Sequence, residues 1–140
     1  VNVAAQPDWI QLHGSESTKR AAEVRPFARR GLIKAVGIAK HEDFATLPPY
    51  YPIVDFFLFD AQVPKGGLPG GNALPFDWGV TAGAQIDRPW FLAGGLNPSN
   101  VKEAIQVSGA DLVDVSSGVE SSPGLKDPHL IAQFLAAAEV

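Results

Sequence analysis

Apolar residues recur along this chain in short blocks, each followed by a stretch of mixed polarity. The blocks are Trp9 to His13, Leu32 to Ile38, Val54 to Asp60, Trp90 to Ala93 and Leu112 to Ser116. Short runs rich in Val, Ile, Leu, Phe and Trp read as strands. Several are apolar at consecutive positions, which suits strands of a parallel sheet covered by helices. The intervening stretches predict helices. The first runs from Thr18 to about Arg30, with Ala22, Val24 and Phe27 as its apolar positions. Ser15 or Ser17 caps it and Pro26 weakens it. A weak helix from His41 to Leu47 ends at Pro48-Pro49, and Val80 to Gln85 offers only a short, poor one. Val101, Ala104, Ile105 and Ser108 share a face of a helix closed by Gly109, with Asn97 as candidate cap and Pro98 as first residue. Asp127-Pro128 opens the last helix, whose stripe is Leu130, Ile131, Phe134, Leu135 and Ala138.

The strand-helix alternation occurs five times, the signature of an α/β fold with a parallel sheet. Two architectures accommodate it. One is a doubly wound open sheet. The other is part of a (β/α)8 barrel, which normally takes about 200 to 250 residues. Five units are too few to close such a barrel. Val1 to Gln6 reads as the tail of a helix whose start is absent.

Composition narrows the chemistry. The 140 residues are 46% hydrophobic and carry a net charge of -4, with no basic footprint for nucleic acid. Any phosphate has to be held locally, by backbone amides. There is no cysteine, hence no disulfide framework and no thiolate nucleophile. His13, His41 and His129 are far apart, so no metal site is expected. No apolar run is long enough to span a bilayer, and a cytoplasmic domain is the expectation.

Polar residues near the carboxyl ends of strands carry the chemistry in either architecture. His13 ends the first strand, Asp60 the third, and Asp114 lies near the end of the fifth; Lys34 sits mid-strand in the second. A histidine and two acids at three strand ends would converge on one mouth. Two apolar blocks run into small residues, at Gly94-Gly95 and at Ser116-Ser117-Gly118. Paired strand ends with free amides make an anion socket. The loop from Ala61 to Asp77 holds Gly66-Gly67 and Gly70-Gly71 but lacks the Lys-[Ser/Thr] of a P-loop, and reads as a cover. Val115 to Val119 is not Gly-x-Ser-x-Gly, so Ser117 is a phosphate contact rather than a nucleophile.

These stretches resemble the phosphoribosylanthranilate isomerase family of tryptophan biosynthesis. The resemblance is carried by Gln11-Leu12-His13-Gly14, Phe57-Leu58-Phe59-Asp60, Pro69-Gly70-Gly71-Asn72 with Phe76-Asp77-Trp78, Leu92 to Val101, and Asp114 to Glu120. It implies a (β/α)8 TIM barrel, with this chain as strands four to eight, a single incomplete domain over 1–140, and the first three β-α units missing. It implies an aldose-ketose isomerase that converts N-(5'-phosphoribosyl)anthranilate to 1-(2-carboxyphenylamino)-1-deoxyribulose 5-phosphate. Asp60 would be the general acid, desolvated by those of Phe56, Phe57 and Phe59 that touch it. His13 and Asp114 would contact the substrate, and the amides of Gly94, Gly95, Ser117 and Gly118 the phosphate. No cofactor is implied. The family's base is a cysteine of the first strand, absent here, so the 140 residues alone are expected to be inactive and to need self-association or an amino-terminal segment to complete the barrel. The alternatives are a non-catalytic phosphate-ligand-binding fragment and another phosphosugar barrel enzyme.

Overall fold

The computed structural model describes residues 6–61 and 77–139. The glycine-rich loop and the first residues read above therefore lie outside the described residues. Five parallel strands form one sheet: β1 Trp9–Leu12, β2 Gly31–Ile38, β3 Phe56–Ala61, β4 Trp90–Ala93 and β5 Leu112–Val113. Their order is β1-β2-β3-β4-β5. A doubly wound sheet reverses its order at a switch point. This sheet never reverses, so it has the winding of a barrel arc.

Side chains alternate across the arc with period two. On the outer, helix-facing side Leu12, Leu32, Ile38, Phe57 and Phe59 join Ala21, Leu47 and Val54 in one buried cluster. Leu92 joins Leu96, Val101, Ala104, Val119 and Phe134 in a second. The Phe59 ring lies 5.3 Å from Phe44, 6.0 Å from Phe57 and 5.2 Å from Trp90. Each such buried ring contributes about 1.5–3 kcal/mol. On the inner side Ala35, Leu58 and Ala93 are buried, flanked by Ile33 and Phe91.

Helix α1 spans Thr18–Val24, and Ser17 Oγ accepts the Arg20 N–H at 3.2 Å as its cap. At Pro26 the chain tightens into a 3₁₀ turn, Arg25–Phe27, so the helix ends short of Arg30. Across the helix and the turn after it the inward residues are Ala21, Val24 and Ala28; Ala22 and Phe27 are exposed, correcting the phase read from the sequence. The expected helices at His41 to Leu47 and Val80 to Gln85 are 3₁₀ turns, His41–Thr46 and Trp78–Thr81.

Helix α2 spans Val101–Ser108 and ends at Gly109, whose φ is 71°. It begins three residues later than Pro98, because Asn97 spends its side chain on a turn, accepting the N–H of Ser99 at 2.9 Å. Strand β5 stops at Val113 rather than Ser116. A hairpin that the sequence pattern did not suggest, β6 Glu120–Ser122 with β7 Leu125–Lys126, follows around Gly124. Helix α3, Pro128–Ala138, is capped by Asp127, whose Oδ1 accepts the His129 N–H at 2.8 Å. Phe134 is its buried residue, with Leu130, Ala137 and Ala138 half-buried; Ile131 and Leu135 are exposed, the latter by 58%. No helix among the described residues is long and apolar enough to cross a membrane.

The phase of α1 is testable. Ala21→Glu buries an unpaired charge and should cost more than about 3 kcal/mol. Ala22→Glu, one position on, should stay within about 0.5 kcal/mol of the parent in urea unfolding.

Candidate functional site

Parallel strands deliver their carboxyl ends to one rim, and the inner parity set delivers particular side chains there. Gln11 and His13 come from β1 and its end, Leu58 and Asp60 from β3, Ala93 from β4, and Asp114 from just past β5. All of them line one cleft of about 220 Å³ with Gly94, Gly95, Ser117 and Gly118. Every residue singled out from the sequence as catalytic, substrate-binding or phosphate-binding thus lies on that cleft. A second hollow of about 240 Å³ shares His13 and Asp60 and continues over Ala35 and Gly37.

Asp60 is half-buried, and its register partners are Gly37 on β2 and Ala93 on β4. Two small neighbours leave open space over its carboxylate. Phe57 and Phe59 belong to the outer cluster. Of the three phenylalanines expected to desolvate Asp60, only Phe56 shares its parity. His13 is exposed, and Gln11 Nε2 donates to its Nδ1 at 3.1 Å. An amide nitrogen only donates, so Nδ1 accepts and neutral His13 carries its proton on Nε2. Asp114 is anchored through its backbone: its N–H donates to Leu92 O at 2.8 Å.

Lys34 does not reach the cleft. It has outer parity, and its side chain is buried on the helix side of the sheet. Gln11 is the cleft residue that strand-end logic alone passes over. Its signal is the period of two that puts it on the face of His13.

The socket is a pair of loops rather than two helix starts. Gly94 and Gly95 have φ of 90° and 67°, in the left-handed region where a side chain is strained. Gly95 O accepts from Asn100 Nδ2 at 3.0 Å, and Asn100 Oδ1 accepts the Asn97 N–H at 2.8 Å. Opposite, Ser117–Val119 is one 3₁₀ turn. A Cβ on Gly118 would sit 1.8 Å from Leu96 O, so the two loops touch at their backbones. Among the described residues, the amide N–H groups of Gly94, Gly95, Ser117 and Gly118 meet no protein acceptor. Such amides form an anion-binding nest.

The β6–β7 hairpin braces this loop from behind. Lys126 Nζ donates to Ser116 O at 2.9 Å and to Glu120 Oε1 at 2.6 Å, and Glu120 Oε2 accepts the Gly124 N–H at 3.0 Å. The Lys126 hydrogen bond, then that of Gly124, holds the Glu120 carboxyl below its usual value. Among the described residues no cluster of His, Asp and Glu is placed to hold a metal ion. A larger hollow, about 460 Å³, lies at the opposite rim, at the amino ends of β4 and β5. Its Arg88 is committed to backbone carbonyls, Tyr51 O at 2.6 Å, Asp87 O at 2.9 Å and Val54 O at 3.3 Å, and the other charged groups that line it are the carboxylates Asp87 and Asp111.

Comparison with known proteins gives concordant matches. Residues 2–137 match the family model described as N-(5'phosphoribosyl)anthranilate (PRA) isomerase. The N-(5'-phosphoribosyl)anthranilate isomerase of Paracoccus denitrificans is 55% identical over 134 residues, 94% of this chain and 61% of that protein. The crystal structure of phosphoribosyl anthranilate isomerase from Thermotoga maritima matches with a TM-score of 0.75 and 36% identity, over 94% of this chain and 62% of that one. A crystal structure of such an isomerase in complex with reduced 1-(o-carboxyphenylamino)-1-deoxyribulose 5-phosphate matches with a TM-score of 0.74 and 34% identity, over 94% and 59%. The chain therefore spans 61% of the curated relative's length.

Two outcomes test the socket. Gly118→Ala should cost about 1–3 kcal/mol, because backbone rather than a flexible side chain has to move. Gly95→Ala meets open space and should cost only the left-handed penalty of about 1–2 kcal/mol. The hairpin brace has an acid limit. Glu120 is depressed in the folded state, so its stabilisation is present above its unfolded value near 4.5 and is lost as pH falls through the folded one. The melting-temperature gap between the parent and Glu120→Gln should be constant above about pH 6 and shrink below that value.

Proposed function

We propose that this chain, which belongs to the N-(5'-phosphoribosyl)anthranilate isomerase family, contributes the acid side and the phosphate site of that family's reaction in tryptophan biosynthesis. The supporting observation is that His13, Asp60, Asp114 and both small-residue loops line one cleft. The substrate is N-(5'-phosphoribosyl)anthranilate, its phosphate held between Gly94-Gly95 and Ser117-Gly118. The ribose then lies over Leu58, with its ring oxygen facing Asp60.

Asp60 donates its proton to the furanose ring oxygen. The bond from C1' to that oxygen breaks as the anilino nitrogen's electron pair forms a C1'=N double bond. A general base next takes the proton from C2', giving an enolamine. Its tautomerisation places a proton on C1' and leaves the ketone at C2'. His13, with Nε2–H as donor, and Asp114, as acceptor, hold the ribose hydroxyls through both steps.

The sequence holds no cysteine, and the family resemblance puts the base on a first-strand cysteine. We take the five strands as strands four to eight of the eight-stranded barrel. The remaining β-α units, with the base, come from the same protein or a second chain. Chain-order winding and a span of 61% of the Paracoccus relative support that assignment. We infer a cytoplasmic reaction, in keeping with the biosynthetic family to which the chain belongs.

Asp60→Asn keeps the shape of the side chain and removes the transferable proton. In the protein as the cell makes it, kcat should fall on the order of 10²–10⁴-fold. Inorganic phosphate should bind as before, because the amides of the socket are untouched. Turnover equal to the parent's would remove Asp60 from the mechanism.

A further inference from the structure

Lys34 stands mid-strand in β2, on the helix-facing side of the sheet, and is only 5% exposed. Burying an ammonium is costly unless its donors are met. Lysine has three N–H donors. Here they meet three acceptors: Gly14 O at 2.7 Å, Ala35 O at 2.8 Å and Glu16 Oε2 at 3.1 Å. That same Glu16 oxygen accepts the Gly14 N–H at 3.0 Å. Tyr50 Oη donates to Glu16 O at 2.8 Å and fixes the backbone that carries the carboxylate. Burial works against ionised Glu16, but hydrogen bonds from its own N–H, from Lys34 and from Gly14 outweigh it and hold the carboxyl below its usual value.

The Gly14 N–H belongs to the peptide that joins it to His13. Holding that N–H fixes ψ of His13, and holding the Gly14 carbonyl fixes the next peptide. The β1 ladder ends at Leu12, one residue before His13. The ion pair therefore takes over where strand pairing stops. Stability alone does not call for the pair, because two apolar side chains of similar size in place of both partners commonly serve at least as well.

We propose that Lys34 and Glu16 are positioning residues, which clamp the Gly14 peptide and thereby aim the His13 imidazole into the cleft. The inference rests on the isomerase reading and on His13 as a substrate contact. Neither residue lines the cleft, so each acts through the backbone.

The test is steady-state kinetics with N-(5'-phosphoribosyl)anthranilate, alongside thermal unfolding, on the protein as the cell makes it. Lys34→Met and Glu16→Gln are each made in the parent and in a His13→Ala background. In the parent, both should lower kcat/KM by about 10–100-fold, the scale of a misplaced contact. Glu16→Gln, at the more exposed partner, should do so while unfolding within a few degrees of the parent, whereas Lys34→Met, which strips three acceptors of their donor, should also unfold at a lower temperature. In the His13→Ala background, where nothing is left to aim, each should change kcat/KM by less than about twofold. The same factor in both backgrounds overturns the inference, as do fully active variants in a parent that His13→Ala impairs. If Lys34→Met does not fold, Glu16→Gln decides by the same cycle. His13→Ala and Asp60→Asn both retaining full activity would instead sink the isomerase reading of the cleft, and the positioning role with it.

Discussion

Each of the first four strands hydrogen-bonds in parallel to the strand that follows it in the chain. A tight turn cannot close a parallel pair, so the described connections, from β1 to β2, β2 to β3 and β4 to β5, cross back outside the sheet before the next strand begins. All carboxyl ends therefore gather at one rim, and all strands divide their side chains by the same parity. The outer set packs against the crossover segments. The inner set supplies a cleft to which His13, Asp60 and Asp114 come from three separate stretches of the chain. A strand that slipped by one residue would exchange Asp60 for Phe59 and lose both the acid and part of the outer core.

Charge is used at this rim in two ways. The cleft itself holds carboxylates, Asp60 and Asp114, and the protein is net negative. The proposed place for an anion consists of backbone amides, brought together because Gly118 lets its loop lie directly on Leu96. The lysines work behind the loops. Lys34 holds Gly14 O beyond β1, and Lys126 holds Ser116 O beyond β5. Each is paired with a glutamate, Glu16 and Glu120, that also accepts a glycine N–H of the same region. At both ends of the arc a lysine–glutamate pair stiffens a loop whose own side chains are small.

The two faces of the sheet differ in burial. Outer Leu32, Ile38, Phe57 and Leu92 are inaccessible, whereas on the inner face Leu58 and Ala93 are buried but the larger share of the apolar side chains, Ile33, Phe56, Phe91 and Leu112, is only half-buried. Apolar surface is worth about 25 cal/mol per Å² when withdrawn from water. An inner face of this kind gains further stabilisation from strands opposite it, which is the arrangement a closed barrel provides.

Strand identity was legible in the sequence because runs such as Phe56-Phe57-Leu58-Phe59 are local signals. So were the caps Ser17 and Asp127 and the stop at Gly109, where one residue's chemistry decides one turn. The members of the cleft were legible too, since position at a strand end predicts the rim. Helix phase was not. Ala21 rather than Ala22, and Phe134 without Leu135, were chosen by what each helix packs against, and apolar residues on neighbouring positions leave the pattern ambiguous. Strand length was not legible either: Val115 looks like strand, but β4 ends at Ala93 and offers Val115 no partner. The face taken by Lys34, read only as mid-strand, was not legible, since only registered pairing shows which face such a residue takes. The chain order of the strands, which separates a barrel arc from a doubly wound sheet, is a property of long-range pairing. The strand pattern left both arrangements open and only the motif resemblance pointed to the barrel; the order itself is decided by pairing between distant strands, which the tertiary structure shows.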